Sequence, residues 1–372
     1  MNILYIFTFG YSLETWNKSG TLQKELKIFR ELSSKKGVRF TFLTYGDESD
    51  LSFNLEEENI NVIPMFEKVK SKKNKYFLIF STLVFVYRNK EKLENHDLIK
   101  HNQLNGSWLA IFIKKLIKKP FFLRTGYDTY KFSINDNKSF LKKTFYLLLT
   151  NLSLYFADSY SVTSEADLSF SQKYYIRPKE INVRPNWVNS YEYKEFMPRY
   201  DNKILAVGRL EKQKNFEKLI KDFKNTNYEI DIVGDGSSYN LLSELSNNYN
   251  VKVNFLGQLE NNELVDKYSE YKYFVSSSLF EGNPKTVLEA MSNGCIVLLS
   301  DIENHTELVN DNENGYIIKL NDSYKRKIDE ISQDFDTLRK VSEKAVLKVN
   351  KNNHINKLVN DFYKDYEFLS SK

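Results

Sequence analysis

Short β-rich runs followed by longer helix-like segments recur along the chain in two successive series, and this alternation constrains the fold more than any other feature. A chain patterned in this way buries its strands under helices, which specifies an α/β protein with parallel sheets. In the first half the strand-like runs are Ile3–Phe9, Arg39–Thr44, Asn61–Ile63, Leu98–His101, Phe121–Leu123 and Ser159–Thr163. Helix-like segments lie between them at Thr21–Ser34, Phe77–Lys92, Ser107–Lys118 and Ser139–Phe156. In the second half the strands read Ile204–Val207, Glu229–Val233, Lys252–Leu256, Tyr273–Ser276 and Ile296–Leu299. The helices there read Phe216–Phe223, Tyr239–Ser246, Asn261–Tyr268 and Lys285–Ser292. No short repeat accompanies the pattern, so it describes two similar sheet domains and not a solenoid.

The junction is expected at Pro185-Asn186-Trp187-Val188 through Pro198, where a strand-like approach gives way to Pro, Asn, Tyr and charged residues. The expected organisation is therefore 1–187, 188–352 and a final segment 353–372. In that segment Ile355, Leu358, Val359, Phe362, Tyr363, Tyr366 and Leu369 have helical spacing, and a helix this apolar must pack on something.

With 372 residues, 41% of them hydrophobic, the chain can bury ordinary cores, and two domains suit its length. Its net charge of +5 is too mild to point to nucleic acid. Cys295 is the only cysteine, which removes disulfide frameworks and cysteine zinc sites and suits a reducing compartment. The four histidines, His96, His101, His305 and His354, show no metal-binding spacing, so no metal is expected. Met1 to Phe7 is apolar only briefly and reads as a first strand, not a leader. The longest apolar stretches, Tyr76 to Tyr87 and Phe145 to Phe156, fall short of the roughly 20 residues a membrane span needs. A soluble, cytoplasmic protein is expected, with peripheral contact at the inner face of the membrane left open.

Charge is unevenly divided. Residues 101–150 hold 9 basic and 2 acidic side chains, centred on Lys114, Lys115, Lys118, Lys119, Lys142 and Lys143. Beside Trp108, Ile111, Phe112, Ile113, Leu116 and Ile117, these lysines suit anionic lipid headgroups. A surface helix with a core-facing stripe and a solvated basic face accounts for the same pattern equally well.

Candidate chemistry sits at strand ends in the second half. Gly208-Arg209-Leu210 through Lys214-Asn215 follows a strand, and the carboxyl edge of an open α/β sheet is where ligands bind. Arg209 offers a planar donor fork for phosphate oxygens and Lys214 a point charge, although a solvated charged loop is the commoner reading of such a segment alone. Glu281-Gly282-Asn283-Pro284 joins a strand to a helix, with Asn283 expected as N-cap and Pro284 as first helical residue. The first-turn amides around Lys285 and Thr286 then favour a phosphate. Glu289, among Val287, Leu288, Ala290 and Met291, is expected to be desolvated and to need donors such as a vicinal diol, and Glu281 to meet another part of the same ligand. For either glutamate a helix-dipole or core hydrogen-bond role is the commoner case. Gly234 and Gly236, in Val233-Gly234-Asp235-Gly236, permit close backbone approach. Neither a Gly-x-Gly-x-x-Gly after the opening strand of either half nor a Walker-type loop is present.

Together these segments resemble the retaining glycosyltransferases of family 4, which have the GT-B fold of two Rossmann-like domains facing across a cleft. The resemblance rests on Gly208-Arg209-Leu210 with Lys214-Asn215, Val233-Gly234-Asp235-Gly236 and Phe255-Leu256-Gly257-Gln258-Leu259. It is strongest at Ser278-Leu279-Phe280-Glu281-Gly282-Asn283-Pro284, Leu288-Glu289-Ala290-Met291 and Asn293-Gly294-Cys295-Ile296-Val297, and covers about residues 203–320. It implies a nucleoside-diphosphate sugar in the second domain, with Arg209 and Lys214 on the diphosphate, Glu289 on the ribose and Glu281 on the transferred sugar. It also implies that backbone near Gly257 to Leu259 borders the base, that Lys285 and Thr286 amides touch phosphate, and that neither metal nor cofactor takes part.

In the first half the resemblance is looser. Ser19-Gly20-Thr21 corresponds to a glycine-containing loop after the first strand, and Arg124-Thr125-Gly126-Tyr127-Asp128 falls where many members have a His-Asp pair, with Tyr127 in place of the His. Gly20, Arg124, Tyr127 and Asp128 are the implied acceptor-side residues, and the terminal helix resembles one that returns to the first domain. The implied activity is sugar transfer to a saccharide acceptor, lipid-linked by preference, in surface-polysaccharide assembly such as O-antigen or capsule. A sugar-nucleotide epimerase on the same fold and a non-catalytic sugar-nucleotide-binding subunit are the alternatives.

Overall fold

A computed structural model of the chain describes residues 1–66, 75–176, 180–189 and 199–371. The part of the expected junction from 190 to Pro198 lies outside the described residues. The chain forms two units, Met1–Arg184 with Leu358–Lys372, and Pro185–Lys357.

The first unit holds a seven-stranded parallel sheet: β1 (Asn2–Ile6), β2 (Arg39–Thr44), β3 (Ile60–Pro64), β4 (Leu98–Asn102), β5 (Phe121–Arg124), β6 (Ser159–Val162) and β7 (Ile181–Val183). Its order is β3-β2-β1-β4-β5-β6-β7, so the order reverses between β1 and β4. The core is unusually aromatic, with Tyr5, Phe29 and Phe42 in contact, the Tyr5 and Phe29 ring centres lying 4.8 Å apart. The terminal helix Ile355–Ser370 contributes Phe362 and Tyr366, whose rings meet Phe122. Asp365 on that helix takes a two-pronged ion pair from Arg184, with Nε at 2.8 Å and Nη2 at 2.5 Å.

The second unit holds a six-stranded parallel sheet, β8 (Tyr200–Val207), β9 (Glu229–Val233), β10 (Lys252–Phe255), β11 (Tyr271–Ser276), β12 (Ile296–Ser300) and β13 (Tyr316–Ile318), ordered β10-β9-β8-β11-β12-β13. Alternate residues feed two cores. Ile204, Ala206, Tyr273, Val275, Ile296 and Leu298 enter one, and Leu205, Phe274, Val297 and Leu299 the other. Both faces are thus dry, which explains why these strands read as continuous apolar runs. The order reverses between β8 and β11, and the loops leaving these two strands carry the candidate chemistry.

Several expectations are corrected. The opening strand ends at Ile6, not Phe9, and the segment expected as one helix over Phe77–Lys92 is two, Lys75–Arg88 and Lys90–Glu94. They part at Asn89, whose backbone N and side-chain amide both donate to Phe85 O, at 3.0 and 2.9 Å, and close the last turn of the first helix. The edge strands β7 and β13, three residues each, are too short to show a period. The helices Leu13–Lys18 and Glu165–Tyr174 escape a search for apolar periodicity, yet each is capped: Ser12 accepts from Thr15 N at 3.2 Å, and Ser164 from Asp167 N at 3.1 Å. The apolar stripe of the Ser107–Ile117 helix faces the core, since Leu109, Ile111, Ile113 and Ile117 are buried.

Candidate nucleotide-sugar site

Three glycine-bearing turns lie side by side where β8, β9 and β10 end. Gly208 N donates to Val233 O at 2.9 Å, and Gly234 N to Gly257 O at 2.8 Å. A Cβ on Gly234 would fall 2.0 Å from Gly208 O, and one on Gly236 would fall 2.6 Å from Leu210 O, so glycine lets the turns pack backbone against backbone. At Gly208 a Cβ would meet Lys214 Cε at 2.8 Å, and the missing side chain therefore gives the Lys214 stem its bed. Leu259, half-buried, follows the third turn.

The loop after β8 is fastened to the loop after β11. Leu279 N donates to Gln213 O at 2.8 Å, Gln213 Nε2 to Phe280 O at 2.8 Å, and Ser277 Oγ to Lys214 O at 2.8 Å. This lacing brings the Lys214 ammonium onto Glu281 Oε1 as an ion pair. Ser278 Oγ donates to the same oxygen at 2.6 Å, and Gln213 Nε2 reaches Oε2 at 3.4 Å. Glu281 is thus buried and met by donors on both oxygens. Arg209, one residue past Gly208, is exposed at the same edge.

Behind Glu281 lies a residue that no local motif singles out. His305, on the short helix Glu303–Leu308, is fully buried, with Nδ1 2.9 Å from Ser300 O and Nε2 3.4 Å from Ser276 Oγ. Burial pushes its pKa down to about 4, so it is neutral. The carbonyl beside Nδ1 assigns that nitrogen the proton, leaving Nε2 an acceptor. Ser276 Oγ also lies 3.4 Å from Ser278 Oγ, which links the imidazole to the carboxylate through two hydroxyls. Asn186, which the sequence marks only as part of the junction, is a second such residue. Its N donates to Asn283 Oδ1 at 3.0 Å and its Nδ2 to Asn283 O at 2.6 Å, while Asn353 Nδ2 donates to Asn186 O at 2.9 Å.

Those bonds correct the expected cap. Asn283 is tied to Asn186, and Pro284, with φ −72° and ψ 105°, stands at the N-cap of helix Lys285–Ser292. The first intrahelical bond runs from Leu288 N to Pro284 O, so the amides of Lys285 and Thr286 precede it and point along the helix axis past its start. The Lys285 ammonium stacks 4.0 Å above the Trp187 ring. Glu289 is buried, and Tyr268 donates to its Oε2 at 3.3 Å.

The first-unit candidates lie on two segments of the chain, Gly20 on one and Arg124, Tyr127 and Asp128 on the other. The loop directly after β1 carries Gly10 at φ +82°, whereas Gly20, at φ +66°, stands beyond the helix Leu13–Lys18. Arg124 ends β5 and its Nη2 donates to Arg184 O at 3.2 Å. Tyr127 is exposed and packs on Phe132, ring centres 4.9 Å apart. Asp128 caps helix Thr129–Asn135 by accepting from Lys131 N at 2.8 Å, and Tyr175 OH donates to its carboxylate at 2.7 Å. Asp128 is buried in that structural role, and desolvation raises its pKa. Among the described residues no group of three or more His, Cys, Asp and Glu side chains is arranged to hold a metal ion.

The chain resembles known proteins in sequence and in fold. Residues 192–348 match the family model described as glycosyl transferases group 1. Over 211 residues the chain is 31% identical to an Escherichia coli UDP-Gal:alpha-D-GlcNAc-diphosphoundecaprenol alpha-1,3-galactosyltransferase, covering 50% of this chain and 52% of the relative. Over 160 residues it is 33% identical to the E. coli O-antigen biosynthesis glycosyltransferase WbnH, covering 40% and 44%. The chain spans about half the length of the curated relatives it matches. Among solved structures, a sucrose-phosphate synthase from Thermosynechococcus elongatus superposes with a TM-score of 0.82 at 16% identity, and Anabaena HepE in complex with UDP-glucose with 0.76 at 15%, each covering 100% of both chains. The fold is therefore GT-B, two Rossmann-like parallel-sheet domains, as the resemblance implied.

Proposed function

We propose that this protein is a retaining, metal-independent glycosyltransferase that moves a sugar from a nucleoside diphosphate to a lipid-linked saccharide during assembly of a surface polysaccharide such as O-antigen or capsule. The observation that carries the reading is the Lys214–Glu281 pair, held by interlaced loops at the β8/β11 switch point beside exposed Arg209 and the start of helix Lys285–Ser292. Cations and helix amides together suit a diphosphate, and buried carboxylates suit the hydroxyls at its two ends.

In this reading Arg209 and Lys214 hold the diphosphate, the Lys285 and Thr286 amides meet its terminal oxygens, Glu289 accepts from the ribose and Glu281 from the transferred sugar. The bond between the sugar C1 and the phosphate oxygen breaks, the acceptor oxygen bonds to C1 on the same face, and the acceptor proton passes to the leaving phosphate. The protein's contribution is charge stabilisation on the departing diphosphate. The named relatives support transfer over epimerisation or binding alone, and the E. coli galactosyltransferase is named for a UDP-Gal donor and a GlcNAc-diphosphoundecaprenol acceptor. A cytoplasmic site at the inner membrane face follows from such substrates.

Thermal shift against a panel of nucleotide-sugars, followed by incubation of the best binder with lipid-diphosphate saccharides, tests the reading. The expected result is a raised melting temperature with one donor, then a glycosylated product retaining the donor's anomeric configuration and unaffected by chelator. No stabilisation by any nucleotide-sugar would overturn it.

A further inference from the structure

The helix Phe140–Phe156 buries Leu154 yet turns a stripe of large apolar side chains outward. Two of its hydroxyl residues face the protein: Ser153 and Thr150 are 0% and 4% exposed, and Ser153 Oγ lies 2.8 Å from Ser107 Oγ of helix Ser107–Ile117. Asn151 Oδ1 accepts from Ile176 N at 2.7 Å. Its large apolar residues face outward, with Leu141 79%, Leu148 64% and Tyr155 69% exposed, and Phe145 and Leu152 between them. Leu141, Phe145, Leu148, Leu152 and Tyr155 follow steps of four and three, which sets them in one stripe along the helix.

A second helix, which buries Val86, also turns large apolar residues outward. Along Lys75–Arg88, Thr82 is buried while Phe80 and Tyr87 are exposed. Both helices pack on Ser107–Ile117, and the β3-to-β4, β4-to-β5 and β5-to-β6 crossovers all step in one direction, so right-handed connections lay the three helices on one face of the first sheet. None of the three contains an Asp or Glu, while Arg88, Lys114, Lys115, Lys142 and Lys143 belong to them. A broad apolar face of this kind on a water-soluble domain marks a contact surface.

We infer that this face is where the protein lies on an anionic lipid bilayer, with the Phe140–Phe156 stripe entering the headgroup boundary and Lys142 and Lys143 meeting lipid phosphates. The charge decides the occupant. A second copy docking on the stripe sets basic helix against basic helix, whereas an anionic leaflet satisfies apolar stripe and lysines together. The inference deepens the lipid-linked-acceptor reading, on which it rests for its setting, and takes its apolar contact from the Phe140–Phe156 stripe, since the Ser107–Ile117 stripe is core.

The test is flotation of the purified full-length protein with vesicles of phosphatidylcholine alone or mixed with phosphatidylglycerol, without donor or acceptor. Wild type is expected to float with anionic vesicles and poorly with neutral ones. The triple variant Phe145→Ser, Leu148→Ser, Leu152→Ser, altered only at outward positions, should partition at least about tenfold more weakly, and Lys142→Glu with Lys143→Glu should abolish the preference for anionic lipid. Nucleotide-sugar stabilisation of the triple variant should equal wild type, so failure of the donor reading is seen separately from failure of docking. Wild type that ignores anionic vesicles, a triple variant that floats as well as wild type, or a solution dimer that the triple variant dissolves overturns the proposal.

Discussion

Ser278 donates a 2.6 Å hydrogen bond to Glu281 Oε1, the oxygen that also receives the Lys214 ammonium. The carboxylate is thereby fixed in one rotamer by two loops. Glu281→Gln keeps the shape but loses the charge that orients Lys214, and turnover is expected to fall roughly 10²–10³-fold with the fold intact. Ser278→Ala removes one hydrogen bond to a charged group and should cost about tenfold. Release of nucleoside diphosphate with a saturating acceptor measures both, and wild-type rates in Glu281→Gln would remove this residue from the site.

Arg209 and Lys214 are assigned to the same diphosphate but sit differently, one exposed and one fastened to Glu281. Each Ala variant should weaken nucleoside-diphosphate binding by about 10- to 100-fold, the range of a lost charge-assisted hydrogen bond. Calorimetric titration reads this directly, and raised salt should narrow the Arg209 effect more than the Lys214 effect because exposed charge is screened.

Gly234 and Gly257 both have positive φ, yet their substitution should differ sharply. Gly257 at φ +67° has nothing within 4 Å of the point where a Cβ would stand, so Gly257→Ala meets only left-handed strain, about 1–2 kcal/mol. Gly234→Ala puts a methyl 2.0 Å from Gly208 O and must displace the turn that beds Lys214. We expect a loss of about 3 kcal/mol or more, with nucleotide binding lost in parallel. Urea denaturation of the two variants settles the order.

Lys100 on β4 is buried, its ammonium hydrogen-bonded to Tyr366 and 4.5 Å from the Phe362 ring. Burial, with repulsion from Arg124, pushes its pKa down to about 7 from 10.5. Between those values the unfolded chain holds a proton that the folded chain has released, so this group makes stability rise with pH across that window and adds no slope below it. Lys100→Met should flatten the profile, and the difference from wild type should change by up to about 1.4 kcal/mol per pH unit between pH 7 and 9. Denaturation at a series of pH values checks it.

His101 and His305 are buried neutral, one in each unit, with pKa values pushed down to about 4 from 6.5 by desolvation. The unfolded chain binds the proton first as pH falls. Stability present above pH 6.5 is therefore lost down to pH 4, by roughly 3 kcal/mol per histidine at most. Comparison of wild type with His101→Gln and His305→Gln by melting temperature from pH 7 to 4.5 isolates this from other groups, and parallel curves would contradict it.

Legibility in the sequence followed the range of the interaction. Arg39–Thr44, Glu229–Val233, Asn261–Tyr268 and Lys285–Ser292 can be read to the residue because strand and helix periods, Gly turns and Pro are local signals. The Gly208, Gly234 and Glu281 segments could be singled out because each follows a strand. What no local signal carries is partnership across the sheet. That Glu281 meets Lys214, that His305 stands behind them and that Asn283 is tied to Asn186 depend on contacts between residues distant in the chain.

The amino-acid order alone determined two parallel-sheet domains and the strand ends that carry the candidate residues, because periodicity and chain reversal are properties of neighbouring residues. The tertiary structure alone decided which side of a helix is the inside. The Ser107–Ile117 and Phe140–Phe156 helices both read as apolar with lysines, and packing buried the first stripe while turning the second outward. The reason is physical: hydrophobicity states that a side chain prefers to leave water, and only the surrounding fold determines whether there is room for it to do so.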